Sequence, residues 1–441
     1  MIKEESMCNI AIIGGGAAGM TAAIVAATAG ATVTIFEQKK KVGQKLLSTG
    51  NGKCNLSNRR MVMSEYHTSH PRKAEAILNK FGVDDTVDFF GSLGVMIREK
   101  NGHLYPYSEQ ARAVLDAMRV RLAELGVLIN TDTPVTSMKR KPDGSYLVMG
   151  ATFDKVIIAS GSQAGAKNEV AAKGYRIASR MGHKIVPVVP GLGRLMCRNQ
   201  LLDILGGVRC QAKVTLLVSD KKDPQEMEVL LEKGDFSSFE VKGEESGEIQ
   251  FAANALSGIP VLQLSRIAAY ALLAEMDVLV AVDFIPDMSN EEYQEFCHQR
   301  LNNAGSNSIL GDSGLRKKTL EHFLLGMTHK KINQAIIKKH RLHPDDSIAD
   351  VGMRQLVPLM MTYKNMVFHI RSVDDWENVQ GSAGGVSLAE LSDELESLSS
   401  PGLYFAGEII DVDGRCGGYN LQWAWSSGHC AGVSAAGKEI V

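Results

Sequence analysis

No two of the seven cysteines form a C-x-x-C pair; they stand scattered at positions 8, 54, 197, 210, 297, 416 and 430. That pattern suits reduced thiols better than a disulfide framework or a zinc site, and no metal centre is expected. A basic block is also missing. Lysine and arginine total 48 against 50 acidic residues, a net charge of −2, which argues against an electrostatic claim on nucleic acid or an anionic membrane. Polar residues and glycines interrupt every apolar run before it reaches the roughly 20 residues a membrane span needs. The first nine residues lack the apolar core of a signal peptide, so a cytoplasmic location is the expectation. There is no internal repeat or low-complexity stretch. A chain of 441 residues supports a large core and two or three domains.

What is present is organised around Asn9 to Glu37. An apolar run, Ile10 to Ile13, meets glycines at Gly14, Gly16 and Gly19; an alanine-rich segment ends at Gly30; a second apolar run, Ala31 to Phe36, is closed by Glu37. This reads as strand, tight turn, helix, strand. Gly14 permits the turn, Gly16 lets backbone approach a pyrophosphate, and Gly19 lets helix and strand pack closely. Glu37 stands where a carboxylate accepts the hydroxyls of an adenosine ribose.

The loop from Gly43 to Asn55 follows, with Gln44, Lys45, Asn51, Gly52, Lys53 and Cys54 within it. Its glycines and small polar residues predict a shaped loop at the carboxyl edge of the sheet, suited to phosphate or an electron-rich ring. Two short helices are expected between Lys73 and Leu93. A helix capped by Ser108 is expected to run to Gly126, then a core strand over Val127 to Asn130, and a hairpin turning at Pro142-Asp143-Gly144. Asp154 to Ser160 reads as a buried strand running into Gly161. Beyond Pro190, Val208 to Val218, Met227 to Leu231, Gly247 to Val261 and Val278 to Phe284 read as strands of an antiparallel barrel or small sheet. Ser289 to Glu292 has the pattern of a capping box, and short helices follow to about Lys364.

Near the C-terminus, Gly402 to Ala406 reads as a buried strand followed by Gly407, Glu408 and Asp411. Gly414, Gly417 and Gly418 then lead into a helix from Asn420 to Ala436. The two tryptophans Trp423 and Trp425 face different ways on it, one toward the core and one toward a cavity. A nucleotide motif at the N-terminal end and a second polar cradle near the C-terminal end fit a long ligand gripped along its length, FAD rather than a transient nicotinamide. The helix start at Gly417, Gly418 and Asn420 is expected to face the flavin. Cys54 and Cys416 read as two independent small buried residues rather than a redox pair.

The stretches Ile12 to Met20, Lys45 to Asn58, Tyr105 to Ser108, Ala255 to Ser265, Ala383 to Leu388 and Gly402 to Gly432 resemble the BaiN-like family of NAD(P)/FAD-dependent oxidoreductases, which includes bile-acid 3-dehydro-Δ4,6-reductases and aminoacetone oxidases. The resemblance implies an α/β fold: a Rossmann-type FAD-binding domain from both chain ends (1–190 and 380–441), a β-barrel-like insertion (191–285, with a return strand at 365–379) and a helical subdomain (286–364). It also implies FAD contacts at Gly14, Gly16, Ala17, Ala18, Glu37, Gln44, Lys45, Asn51, Cys54, Asn55, Val135, Gly407, Asp411, Gly418, Asn420 and Leu421. Gly19, Gly52, Ser160, Gly161, Glu408 and Gly417 join them from the motif reading. Tyr419, Tyr105 and His103 are the candidate proton donors. The expected activity is NAD(P)H-driven reduction of an activated C=C bond in a small, steroid-like molecule. The alternatives are a flavin oxidase acting on a small amine with dioxygen, and a redox-sensing flavoprotein.

Overall fold

The computed structural model describes residues 7–165, 172–197, 199–233, 236–302, 308–311 and 314–437. The chain forms two compact units, one from Met1–Pro190 with Trp376–Val441 and one from Gly191–Asp375. Among the described residues no helix is long and apolar enough to cross a membrane.

In the first unit, β1 (Asn9–Ile13), α1 (Ala17–Thr28), β2 (Thr32–Phe36), α2 (Ala111–Glu124), β3 (Leu128–Asn130), β4 (Lys155–Ile158), α3 (Lys173–Arg180), β5 (Leu403–Phe405) and α4 (Tyr419–Ala436) build the framework. The five strands are parallel in the order β5-β4-β1-β2-β3. Ile10 to Ile13 are buried on both faces, which is why β1 is a continuous apolar run rather than an alternating one. The chain leaves β1 toward β2 and later returns to its other side as β4. The carboxyl end of β1 is therefore where the topology reverses and a crevice opens.

The C-terminal segment joins this sheet twice. β5 pairs with β4, Val156 opposite Leu403 and Ile158 opposite Phe405. Helix α4 lies against α1 so closely that a Cβ on Gly428 would stand 2.5 Å from the Ala18 carbonyl oxygen, and one on Gly432 would stand 2.7 Å from that of Ala22. Only glycine allows the two backbones to approach in this way.

Three local expectations for this unit are corrected. β3 is an edge strand rather than a core strand: among the described residues it pairs with β2 alone, and Leu128 is 61% exposed. Ser108 does not cap α2. The chain turns at Pro106, with Glu109 N–H donating to its carbonyl and Glu109 in a left-handed conformation, so the helix starts later with Gln110 in the cap position. Tyr419 already belongs to α4, one residue before the expected start. The hairpin is present over Met138–Arg140 and Tyr146–Val148, and the Asp143 carboxylate accepts the Ser145 N–H and hydroxyl at its turn.

The second unit is a closed antiparallel barrel of six strands, in the order Leu195–Cys197, Ala255–Ser257, Glu240–Ala252, Arg209–Ser219, Asp277–Asp283 and Met366–Val373. Val214, Leu216 and Val218 point inward, as do Val278, Val280 and Val282. Met227 to Leu231 is a helix, Pro224–Lys233, and not a strand. Its start is held by Asp223, whose carboxylate accepts the Gln225 and Glu226 N–H groups at 2.9 Å. Met227, Leu230 and Leu231 fall on one helical face and cover the outward-facing Leu217, Leu279 and Val367. Val261 is also helical: Gly258, at φ +102°, ends the short strand and opens the helix Ile259–Leu273. The capping box forms as expected, with Ser289 N–H donating to Glu292 Oε2 at 2.8 Å and Glu292 N–H to Ser289 Oγ at 3.1 Å.

The helix contact generates a test. Gly432→Leu forces α1 and α4 apart, and overpacking of this kind costs about 1–3 kcal/mol. Thermal denaturation of the full chain followed by tryptophan fluorescence is expected to show an earlier transition, whereas an unchanged midpoint contradicts the close contact.

Candidate functional site

A cleft with about 1430 Å³ of empty space, open solvent at its mouth included, lies at the carboxyl ends of β1, β2, β4 and β5. Its floor is the turn after β1. Gly14 has φ +109°, and a Cβ there would sit 2.4 Å from the Ala159 carbonyl oxygen, so the end of β4 admits no side chain at this position. Gly16 stands in an extended conformation ahead of α1, with no atom within 4 Å of where its Cβ would be, and its bare backbone faces the cleft. The first turn of α1 brings unpaired N–H groups and partial positive charge to that spot.

Glu37 ends β2 at the same floor. Its Oε2 accepts the Gly15 N–H and its Oε1 accepts the Lys39 N–H, each at 2.8 Å, and the residue is only 8% exposed. Two charge-assisted bonds hold the buried carboxylate in one orientation on the cleft wall.

The opposite wall comes from the C-terminal segment. Gly407, at φ +78°, donates its N–H to Ser427 Oγ at 2.8 Å, and its carbonyl accepts the Trp423 indole N–H at 3.2 Å. Glu408 Oε2 pairs with Lys45 Nζ at 2.6 Å, while its Oε1 accepts the Ser382 N–H at 3.0 Å. Lys45, expected to suit a phosphate or an electron-rich ring, is thus engaged by a carboxylate. The Ser160 hydroxyl is buried on the cleft lining and has no hydrogen-bond partner among the described residues. An orphaned hydroxyl there fits a cleft completed by a polar ligand.

Of the residues singled out in the sequence, Gly14, Gly16, Ala17, Ala18, Glu37, Gln44, Lys45, Val135, Ser160, Gly161, Gly407, Glu408, Asn420 and Leu421 line this one cleft. Gly19, Asn51, Gly52, Cys54, Asn55, Asp411, Gly417 and Gly418 do not. A Cβ on Gly19 would lie 1.9 Å from the Gly14 carbonyl oxygen, so this glycine serves packing. Asn51 and Gly52 are exposed at the end of a 3-10 segment, Lys45–Gly52. Asp411 is buried and its N–H donates to the Val386 carbonyl.

The start of α4 divides between the cleft and the packed interior. With the Asn55 amide nitrogen facing the Ser57 and Leu104 carbonyls at 2.9 and 3.2 Å, its oxygen accepts the Gly418 N–H at 3.3 Å and His103 Nδ1 at 3.0 Å. A Cβ on Gly418 would meet Ser57 backbone at 2.7 Å. These glycines let the helix start pack on the segment Ser57 to Asn58 and on His103, while Asn420 and Leu421, just beyond them, line the cleft. The three proton-donor candidates also stand off the lining. Tyr419 is 4% exposed, donates its hydroxyl to the Arg60 carbonyl and packs on Tyr66 at 5.2 Å between ring centroids. His103 is held by Asn55, and Tyr105 lies beside it at 6.3 Å.

Both tryptophans of α4 are buried. Trp425 donates to the Leu56 carbonyl at 2.9 Å in the core, and Trp423 contributes to the cleft wall. Thr133, Lys173, Gly174 and Gln380 line the cleft without having been singled out; they lie in stretches that carry no motif.

A family model described as the HI0933-like protein Rossmann domain matches residues 8–434. The chain belongs to this family. It is 36% identical over 436 residues to the 3-dehydro-bile acid delta(4,6)-reductase of Clostridium scindens, covering 98% of this chain and 99% of that protein, which bears out the resemblance drawn from the motifs. It is 28% identical over 424 residues to the ribosomal RNA dihydrouridine synthase of Escherichia coli, covering 94% and 95% of the two chains. Among solved structures, 3-ketosteroid delta1-dehydrogenase from Sterolibacterium denitrificans aligns with a TM-score of 0.46 at 13% identity, over 97% of this chain and 99% of that one.

Cys54 provides a check on the core beside the cleft. It is fully buried, and burial pushes its thiol up to about 12. Iodoacetamide at about pH 8 is expected to leave Cys54 of the native protein unmodified. Alkylation of Cys54 ahead of the half-buried Cys8 contradicts this placement.

Proposed function

We propose that this protein is an FAD-dependent oxidoreductase that adds hydrogen across a C=C bond conjugated to a carbonyl, with NAD(P)H as the electron source. The observation that carries the reading is the fixed Glu37 carboxylate beside the bare backbone of Gly14 to Gly16, in one cleft with the end of β5. In this reading Glu37 accepts the ribose hydroxyls, the first turn of α1 holds the pyrophosphate, and the backbone at Val135 borders the adenine. Ser160, Gly407 and Glu408 would complete the wall along the remainder of the cofactor, with Asn420 and Leu421 closing it from α4. FAD supplies the two-electron chemistry, and the chain supplies orientation, electrostatics and exclusion of water.

The names of the two curated relatives support the reaction class. A delta(4,6)-reductase of a 3-dehydro bile acid and a dihydrouridine synthase both denote addition of hydrogen to a C=C bond conjugated to a carbonyl. Neither name concerns an amine or dioxygen, so they lend nothing to the oxidase alternative. A steroid-like enone acid is the favoured substrate, because the reductase is the more similar of these two relatives. The second reading is a uracil ring carried by RNA, favoured by the dihydrouridine synthase name. A net charge of −2 is a sum over the whole chain and does not exclude such a substrate, so the exclusion of nucleic acid read from composition does not stand.

Purified protein is expected to be yellow, to bleach with NADPH or NADH under nitrogen, and to regain colour on addition of a 3-oxo-Δ4,6 steroid acid. Recovery with air and peroxide release, but not with the enone, contradicts the proposal. Glu37→Ala is expected to weaken FAD binding at least about tenfold, the value of one charge-assisted hydrogen bond. Unchanged FAD affinity in that variant removes Glu37 from the site.

A further inference from the structure

His103 stands off the cofactor lining, yet both elements that flank it lead into the cleft. It lies half-buried on the strand His103–Pro106, with Tyr105 on the same face and Leu104 buried on the other. On one side, Thr49 lines the cleft, and a Cβ on the next residue, Gly50, would stand 2.8 Å from the Asn55 nitrogen and 3.6 Å from the Tyr105 ring. On the other side, a Cβ on Gly417 would stand 3.0 Å from His103 Cε1, and Asn420, one turn further on, is part of the cleft wall.

The ring is held by one nitrogen only. Asn55 directs its amide nitrogen to the Ser57 and Leu104 carbonyls, which leaves its oxygen to accept from His103 Nδ1 at 3.0 Å and from the Gly418 N–H. The Asn58 amide nitrogen is 3.4 Å from Nδ1 but donates to the Gly417 carbonyl at 3.1 Å, while its oxygen accepts the Arg60 N–H. Nδ1 therefore carries a proton in either charge state, and the proton that comes and goes is the one on Nε2. Nε2 is left open, with no hydrogen-bond partner among the described residues, on a ring that is half-buried rather than enclosed. The charged groups of the surrounding elements engage one another: Arg98 and Lys53 pair with Glu109, and Arg415 pairs with Glu65. Lys100 stands opposite His103 across the hairpin, and burial pushes the Cys416 thiol up, so it stays neutral. An imidazole fixed at one nitrogen and open at the other is the arrangement of a positioned acid or base.

We infer that His103 is the proton donor of the reduction and that Asn55 is the residue that positions it. The inference rests on the reading of this protein as a flavin-dependent C=C reductase. In that reaction a hydride from the reduced cofactor forms the new C–H bond at the β-carbon, and the π pair moves to the carbonyl oxygen as an enolate. The Nε2–H bond of the imidazolium then breaks as the enolate collapses, and its proton forms the C–H bond at the α-carbon. Neutral imidazole is left, and it regains a proton from solvent. Standing clear of the cofactor lining leaves the ring free for the substrate.

The first test needs no turnover. Diethyl pyrocarbonate acylates open, unprotonated imidazole nitrogens, and in FAD-loaded protein at about pH 7 peptide mass mapping is expected to find His103 and the exposed His343 modified. His183, buried with its Nε2 against Ser397 Oγ at 2.9 Å, is expected to stay unmodified. A 3-oxo-Δ4,6 steroid acid that the wild type reduces is expected to protect His103 and not His343. His103 unmodified while His343 reacts, or modified equally with and without that acid, overturns the inference. The second test follows reoxidation of dithionite-reduced protein by the enone. In His103→Gln this rate is expected to fall about a hundredfold or more, with flavin content and the rate of reduction by NAD(P)H unchanged. The decline of the wild-type rate with rising pH is expected to vanish in this variant, and added imidazole to restore part of the rate in His103→Ala. Undiminished reoxidation in His103→Gln, or the loss found in Tyr105→Phe instead, overturns the inference and leaves the reductase reading in place. Wild-type protein that reduces neither the steroid acid nor a uridine-containing RNA fails that reading, and the inference with it.

Discussion

The approach of α4 to α1 is the constraint on which the first unit depends. Segments some 410 residues apart in sequence come together because Gly428 and Gly432 present bare backbone to the Ala18 and Ala22 carbonyls. The β4–β5 pairing adds a ladder of main-chain hydrogen bonds to the same junction. Once these contacts form, the turn after β1 and the turn after β5 face one cleft. Gly407 is wedged against Ala18, where a Cβ would stand 2.8 Å from that of Ala18. The cleft exists because helix and strand from the two ends share one layer of packing.

The electrostatics of the cleft follow from this arrangement. A buried carboxylate at Glu37 is costly unless its oxygens are satisfied, and the Gly15 and Lys39 amides satisfy them. The Lys45–Glu408 pair links the loop after β2 to the loop after β5; both side chains are partly exposed, so the pair contributes little to stability and more to aligning the loops. From α4, the Trp423 indole donates to the Gly407 carbonyl and the Ser427 hydroxyl accepts the Gly407 N–H, and the two bonds hold Gly407 in its left-handed conformation.

The legible parts of the fold were those with a single physical solution. An apolar run ending in Gly14, an alanine-rich segment and a second apolar run ending in Glu37 admit one arrangement, and fourteen of the residues singled out beforehand do line the cleft. Less legible were positions where one residue type serves two purposes. Gly417 and Gly418 have the sequence of a ligand cradle, yet Gly417 packs against His103 and Asn58 and Gly418 against the Ser57 backbone. Cys54 and Asn55 sit in a loop of cofactor character but turn into the core and toward His103. Met227 to Leu231 has strand-like composition, and only its barrel partners Leu217, Leu279 and Val367 turn it into a covering helix. Lys173, Gln380 and Thr133 belong to no motif; tertiary structure alone brings them to the cleft.

The central claim is that one FAD molecule is held jointly by the N-terminal and C-terminal segments. Hydrogen–deuterium exchange of the protein with and without FAD tests it most directly. The account predicts that loading protects amides in both 9–46 and 403–424 at a single stoichiometry. Protection confined to one of these segments, or no change in either, contradicts it.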